Sequence, residues 1–373
     1  MKNKIKTLLV FGTRPEAIKM CPLVKRLQKN PAFEAITMVT AQHREMLDSV
    51  LELFEIKPDF DLNLMKPNQN LWNLSSDILL KTKEIYDKVN PDLVLVHGDT
   101  TTAGISALSA FYSHIKIGHV EAGLRTFDKN YPFPEEINRV IVDSVSDLMF
   151  CPTELAIQNI KNSGIKKGFY KTGNTVIDAL FYVIENKKAN LDYINLNPNL
   201  KTILLTSHRR ENFGKPLENI CKAIIELIQR NKDIQVVYPV HLNPNVRNTV
   251  FSMLENIERV KLIEPMDYVP FCTLMKQAHI ILTDSGGVQE EAPALGVPVF
   301  VLREETERPE AVEYGGVKLV GCDKNKIINS VETLLKDKKE YDKMASSVNP
   351  YGDGRACEYI EKIILDYFLL QKG

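Results

Sequence analysis

The sequence predicts an α/β protein of two doubly wound domains, and three features carry that prediction. Short apolar runs alternate with amphipathic helical stretches in both halves, as expected of parallel strands covered by helices on both faces. An Asn-rich stretch poor in periodic apolar positions, residues 186–200, reads as a linker between the halves. The length, 373 residues with 44% hydrophobic and 25% charged, suits two ordinary globular cores. A net charge of -1 gives no electrostatic footprint for nucleic acid or an anionic membrane, so an anionic ligand has to be held by a few local cations.

In chain order, Leu8–Phe11 is the first buried strand, and Pro15 opens a helix with Ile18, Leu23 and Leu27 on its apolar face. Ala35–Thr40, Leu93–Val96 and Ile115–His119 are further strands, with helices near 44–54, 71–89 and 101–113. The second half repeats the rhythm at Thr202–Thr206, Gln235–Pro239, Val260–Ile263, Ile280–Thr283 and Val299–Leu302. A last helix runs from about Arg355 to Leu370. The apolar run at Leu8–Phe11 is too short for a signal peptide or a membrane span, which predicts a cytoplasmic protein. None of the six cysteines forms a CxxC pair, so neither a zinc ribbon nor a dithiol site is indicated.

Two such domains imply a cleft, and ligands of open α/β sheets sit at the carboxyl ends of strands. The unusual residues cluster there. FGTRPEAIK, residues 11–19, puts Arg14 and Lys19 beside backbone N–H groups able to hold an anion; a tight turn with solvated charges is the plainer reading. HGDTTT delivers Asp99 to a strand end, where it is either a site carboxylate or the N-cap of the next helix. GHVEAGLRT does the same for Glu121, with a salt bridge to Arg125 as the structural alternative. FPEEINR adds Glu135, which an i,i+4 pair with Arg139 would also explain. In the second half, TSHRRENFG brings His208, Arg209 and Arg210 to a strand end, as a pyrophosphate would need, with a solvated charge run as the plainer alternative. His241 ends the next strand, where a lone histidine is more often structural. LTDSGGVQEEAP carries the strongest signal. Ser285, Gly286 and Gly287 open a helix onto which a phosphate can settle, and Glu290 and Glu291 stand one turn in, where a carboxylate can accept both ribose hydroxyls; a structural turn is the plainer reading. Arg308 and Glu310, in REETERPE, could line the same site.

These blocks, with GNTVIDAL, PVHLNPNVR and NPYGDG, resemble in order and from end to end the non-hydrolysing UDP-N-acetylglucosamine 2-epimerases. The resemblance implies two Rossmann-like domains in the glycosyltransferase-B arrangement. Residues 1–185 would carry the acids, residues 200–354 would bind UDP, and a helix at about 355–373 would pack back on the first domain. It implies Asp99, Glu121 and Glu135 as acid–base carboxylates, supported by Lys19 and Arg139. Arg14, His208 and Arg308 would contact phosphates, Ser285, Gly286 and Gly287 the diphosphate, and Glu291 the ribose; His241 would join the substrate-binding set. His208 counts with the three carboxylates as catalytic. The family is usually dimeric and needs no metal or other cofactor.

The expected reaction is reversible C2 inversion of UDP-N-acetylglucosamine, feeding cell-surface polysaccharide precursors. A glycosyltransferase of the same fold, a hydrolysing epimerase and an inactive sugar-nucleotide sensor are the rivals. Some relatives bind a second substrate molecule through equivalents of Gln42, His43, Arg209 and His241. They also use a Gln and an Arg where this chain has Glu45 and Asn68, which predicts weakened allosteric activation.

Overall fold

A computed structural model describes residues 4–41, 44–64 and 70–370. Gln42, His43 and Asn68, and the side chain of Glu45, lie outside the described residues, and with them the reading of allostery. The chain divides into two compact units. One holds the residues up to Ala179 and those from Tyr351 onward; the other is Leu180–Pro350. The division thus falls within the helix Thr175–Asn186, and the Asn-rich stretch lies in the second unit, where Leu191 and Ile194 are buried.

The first unit carries β1 (Ile5–Phe11), β2 (Phe33–Val39), β3 (Phe60–Asp61), β4 (Leu93–His97), β5 (Lys116–Val120), β6 (Leu148–Cys151) and β7 (Phe169–Lys171), in the order β3-β2-β1-β4-β5-β6-β7. The second carries β8 (Lys201–Thr206), β9 (Ile234–Pro239), β10 (Val260–Ile263), β11 (Ile280–Thr283), β12 (Val299–Val301) and β13 (Val317–Leu319), in the order β10-β9-β8-β11-β12-β13. Every pairing is parallel. Each sheet is therefore doubly wound, and its strand order reverses once, between β1 and β4 and between β8 and β11. At such a point the loops after the two strands diverge to opposite faces and leave a crevice. The sequence motifs FGTRPE and HGDTTT follow the first pair; TSHRRE and DSGG follow the second.

The apolar runs form strands because helices bury both faces of each sheet. Leu8, Val10, Val94 and Val96 are fully buried beneath the helices of the first unit, and Ile203, Leu205, Ile280 and Leu282 occupy the same places in the second. On the helix Arg14–Lys29, Leu23 and Leu27 are buried as the apolar periodicity predicts. The helix Ala356–Leu370 returns to the first unit. Its buried Glu361 accepts from Arg26 Nε at 2.5 Å and Asn30 Nδ2 at 2.7 Å, and Asp178 accepts from the backbone N–H groups of Ala356 and Cys357.

Candidate active site

The turn after β1 is built around Glu16. Its fully buried carboxylate reaches back to the Gly12 N–H at 3.0 Å and the Thr13 N–H at 2.8 Å, a capping-box contact that closes the helix start. Its other oxygen accepts from the Thr100 hydroxyl at 2.7 Å, tying this turn to the one after β4. Burial raises the Glu16 carboxyl above its ordinary range despite those hydrogen bonds. A Cβ at Gly12 would collide with the Thr40 hydroxyl and stand 2.7 Å from that of Thr102, so only glycine fits where these strand ends converge. Arg14, at the first helical position, makes no ion pair among the described residues and remains available to an anion.

Asp99 is not the N-cap of the following helix. Thr100 takes that role, its hydroxyl accepting from the Ala103 N–H at 3.1 Å. Asp99 Oδ2 instead accepts from Arg139 at 2.8 Å (Nε) and 2.7 Å (the terminal nitrogen). Glu121 does not pair with Arg125 either. It accepts from Lys19 Nζ and, at 2.7 Å, from Asn174 Nδ2. Lys19, read from the sequence as a cation beside an anion site, is thus committed to a carboxylate. His97 of β4 stands opposite Val120 of β5, so Asp99 and Glu121 follow the ends of two paired, adjacent strands. Glu121 has φ +67°, a strained left-handed conformation for a residue with a side chain, held where its carboxylate faces Lys19 and Asn174.

Arg125 pairs with Asp143 at 2.6 Å, and both side chains are fully buried. His119 bridges the remaining Asp143 oxygen, at 2.6 Å from Nδ1, and the Gly98 carbonyl, at 2.8 Å from Nε2. This cluster therefore anchors the backbone beside Asp99, and through the Gly123 N–H, 3.3 Å from Asp143, the backbone after Glu121. Glu135 makes no ion pair among the described residues. Arg139 pairs with Glu136, i,i+3, so the i,i+4 pair that offered a structural explanation for Glu135 does not form. The buried Glu136 also accepts from the N–H groups of Thr126 and Phe127, which marks it as a loop anchor and leaves Glu135 as the uncommitted acid of the pair.

His97 is a group the sequence did not single out. Its ring is buried with neither nitrogen hydrogen-bonded, and Nε2 stands 3.8 Å from Glu121 Oε1. Burial pushes its pKa down to about 3; Glu121 pulls it up but is outweighed. The ring is accordingly expected to stay neutral from pH 5 to 9. Its ¹⁵N shifts should be flat over that range, and a titration within it would contradict the burial.

In the second unit, β8 and β11 end together on Asp284. One oxygen of this buried carboxylate accepts from the Ser207 hydroxyl at 2.9 Å, from the backbone N–H groups of His208 and Arg209 at 2.9 and 3.0 Å, and from Asn212 Nδ2 at 3.0 Å. The loop carrying His208 and Arg209 is thereby folded over the start of the helix Gly286–Glu291. Ser285 is the N-cap of that helix, and no side-chain cap occupies its N–H groups. A Cβ at Gly286 would lie 4.0 Å from the guanidinium of Arg209 and 4.0 Å from that of Arg308, so two cations flank the same turn. Arg308 Nε donates to the buried Glu290, which fixes the guanidinium. Glu291 accepts from the Tyr268 hydroxyl at 2.6 Å, and burial with the adjacent Glu291 raises that phenol well above its ordinary value. His241 is exposed, its ring stacked on that of His208 with centroids 5.9 Å apart.

Among the described residues, no helix is long and apolar enough to cross a membrane. The first unit gathers carboxylates with their own cations at adjacent strand ends. The second offers a glycine-rich helix start flanked by arginines, with a carboxylate one turn inward. Together they define the class, a two-unit α/β protein equipped for a nucleotide sugar.

The chain belongs to the UDP-N-acetylglucosamine 2-epimerase family, whose model matches residues 25–365. It is 52% identical over 365 residues to the UDP-N-acetylglucosamine 2-epimerase of Escherichia coli K12, covering 95% of this chain and 97% of that one. The enzyme of that name from Salmonella typhimurium is 52% identical, with coverage of 97% and 99%. The crystal structure of UDP-GlcNAc 2-epimerase from Neisseria meningitidis bound to UDP-GlcNAc is 48% identical. It superposes with a TM-score of 0.86 over 97% of this chain and 100% of that one.

Proposed function

We propose that this chain interconverts UDP-N-acetylglucosamine and UDP-N-acetylmannosamine by inverting C2 without net hydrolysis. The observation that carries this reading is that Asp99 and Glu121 follow the adjacent ends of β4 and β5 and are each held by a cation of their own. Membership of the epimerase family supports the substrate. On this reading the first unit performs the proton transfers and the second binds most of UDP, Arg14 being the first-unit exception. Ser285, Gly286 and Gly287 take the diphosphate, Glu291 the ribose, and Arg14, His208 and Arg308 the phosphate charge. The working form is a cytoplasmic homodimer supplying polysaccharide precursors, with no metal or other cofactor.

The chemistry explains why such a set is needed. No carbonyl stands beside C2, so its proton is not acidic in the intact sugar. Departure of UDP gives C1 oxocarbenium character, as in glycoside cleavage, and that acidifies the C2 proton. Loss of the proton leaves 2-acetamidoglucal beside UDP; protonation of the other face of C2 and return of UDP invert the centre. Cations on the diphosphate stabilise the charge that develops as C1–O breaks. Carboxylates facing C2 then act as base and as acid, Asp99, Glu121 and Glu135 being the candidates. Incubation with UDP-N-acetylglucosamine, followed by ¹H NMR of the anomeric signals, should show UDP-N-acetylmannosamine growing to a constant ratio. Accumulation of free N-acetylmannosamine and UDP instead would point to the hydrolysing reaction.

A further inference from the structure

We propose that Asp284 is a positioning residue for the reaction inferred above and acts through His208. Its buried carboxylate holds the Nδ1 proton of the ring, which leaves Nε2 as the nitrogen that serves the departing diphosphate. The proposal rests on the epimerase reading and deepens it.

Asp284 ends β11, and its side chain is fully buried. The four donors from the His208 loop all reach Oδ2. Oδ1 has no hydrogen-bond partner of its own, yet His208 Nδ1 stands 3.0 Å away, at hydrogen-bond distance but off the preferred line. A small rotation of the imidazole makes that bond and satisfies a buried carboxylate oxygen whose isolation is costly. The His208 side chain is 44% exposed, so the ring has one face of its chemistry anchored and the rest open to a ligand. The loop donors and His208 together outweigh burial and hold the Asp284 carboxyl below its ordinary value, so it is an anion and accepts.

The other charged and titratable groups around the ring do not compete for Nδ1. His241 stacks on it from the β9 end, and its own Nδ1 is occupied by the Asn243 N–H at 3.1 Å. Arg209 lies toward Glu307 at 3.5 Å, and Glu211 toward Arg303 at 2.6 Å. Below Asp284, the Tyr238 hydroxyl donates to the Ser207 carbonyl, and the Cys322 thiol to Asn212 and Leu302.

The consequence is chemical. With Nδ1–H donated to a carboxylate, uptake of a solvent proton on the exposed Nε2 makes the ring a charged donor, and the buried Asp284 carboxylate stabilises that charge. As the C1–O bond breaks, its electron pair stays on the phosphate oxygen, and the Nε2–H of the charged ring donates a hydrogen bond to that oxygen. No proton has to leave the ring, and the return of UDP reverses the step. An uncharged donor would stabilise the same oxygen less.

The test is ¹⁵N NMR of histidine-labelled protein with turnover measured in parallel, the His208 signals being assigned by their loss in H208Q. The wild-type neutral ring is expected in the Nδ1–H tautomer. In Asp284→Asn the amide oxygen can keep the loop donors while its NH₂ faces Nδ1. The neutral ring should then switch to the Nε2–H tautomer, and kcat should fall by roughly 10–100-fold with UDP affinity held within about threefold. A wild-type ring in the Nε2–H tautomer overturns the proposal, even if the variant does not fold. So does a variant that loses turnover without a change of tautomer, or changes tautomer without losing turnover. The tautomer is read without substrate, so a wild-type protein that fails to epimerise refutes the reaction and leaves this readout distinct.

Discussion

Glu121→Gln is expected to lower kcat by about 10²–10⁴-fold, the range of one positioned proton transfer. UDP affinity should stay within about threefold of wild type, because Glu121 is not among the groups assigned to the nucleotide, which apart from Arg14 are on the second unit. The amide keeps the size of the side chain and one acceptor oxygen, so Lys19 or Asn174 retains a partner and the left-handed backbone at this position is not further strained. What is lost is the capacity to exchange a proton. Turnover of purified variant and isothermal titration with UDP check the two halves of the expectation. Near-normal kcat would remove Glu121 from the proton transfers. A parallel loss of UDP affinity would mean that the residue organises binding instead.

Asp143→Asn is expected to cost about 3–5 kcal/mol of stability at pH 7, the usual consequence of breaking a buried ion pair from one side. Arg125 and His119 would be left facing a neutral amide in a site that water does not reach. Burial alone would raise the Asp143 carboxyl, but His119 and Arg125 outweigh it and hold the group below its ordinary value. A carboxylate depressed in the folded state contributes stability that is complete above its unfolded pKa, about 4. That contribution is lost as pH falls through the lower folded value. The wild type should therefore lose more of its denaturation midpoint toward acid than Asp143→Asn does, the loss left in the variant coming from other depressed carboxylates such as Asp284. Urea unfolding from pH 7 down to pH 3 measures both. A midpoint unchanged at pH 7 would show that the cluster contributes little. The same variant should also lose activity, since His119 holds the Gly98 carbonyl beside Asp99 and Asp143 holds the Gly123 N–H beyond Glu121.

The central strands could be read from the chain because parallel strands buried on both faces are near-continuous apolar runs: β1, β4, β8 and β11 fall where Leu8–Phe11, Leu93–Val96, Thr202–Thr206 and Ile280–Thr283 predict them. The strands passed over are mostly at the edges. β3 has two residues, and β7 and β13 are three-residue strands with exposed positions, too short for a pattern to stand out. β6, Leu148–Cys151, is apolar but follows a helix closely, so its run merges with the helical pattern before it.

The site divides in the same way. Residues at strand ends, such as Asp99, Glu121, His208 and Ser285, stand out because a polar group there interrupts an apolar run. Their partners do not. Asn174 is 53 residues from Glu121, and Asp143 lies inside a helix among polar neighbours. Only folding brings those groups to the carboxylates they serve. The local alternatives for Asp99 and Glu121, an N-cap and a pair with Arg125, were physically reasonable and lost to longer-range partners. Local spacing shows which charges are neighbours in the chain, but not which pair is buried.

The most direct test of the epimerase reading is incubation of the protein with UDP-N-acetylglucosamine in D₂O, followed by NMR and mass spectrometry of both sugar nucleotides. The account predicts one solvent deuterium at C2 of UDP-N-acetylmannosamine, its gradual appearance at C2 of the recovered UDP-N-acetylglucosamine, and little free N-acetylmannosamine. Inversion with the original C2 proton retained, or release of the free sugar as the main product, would contradict it.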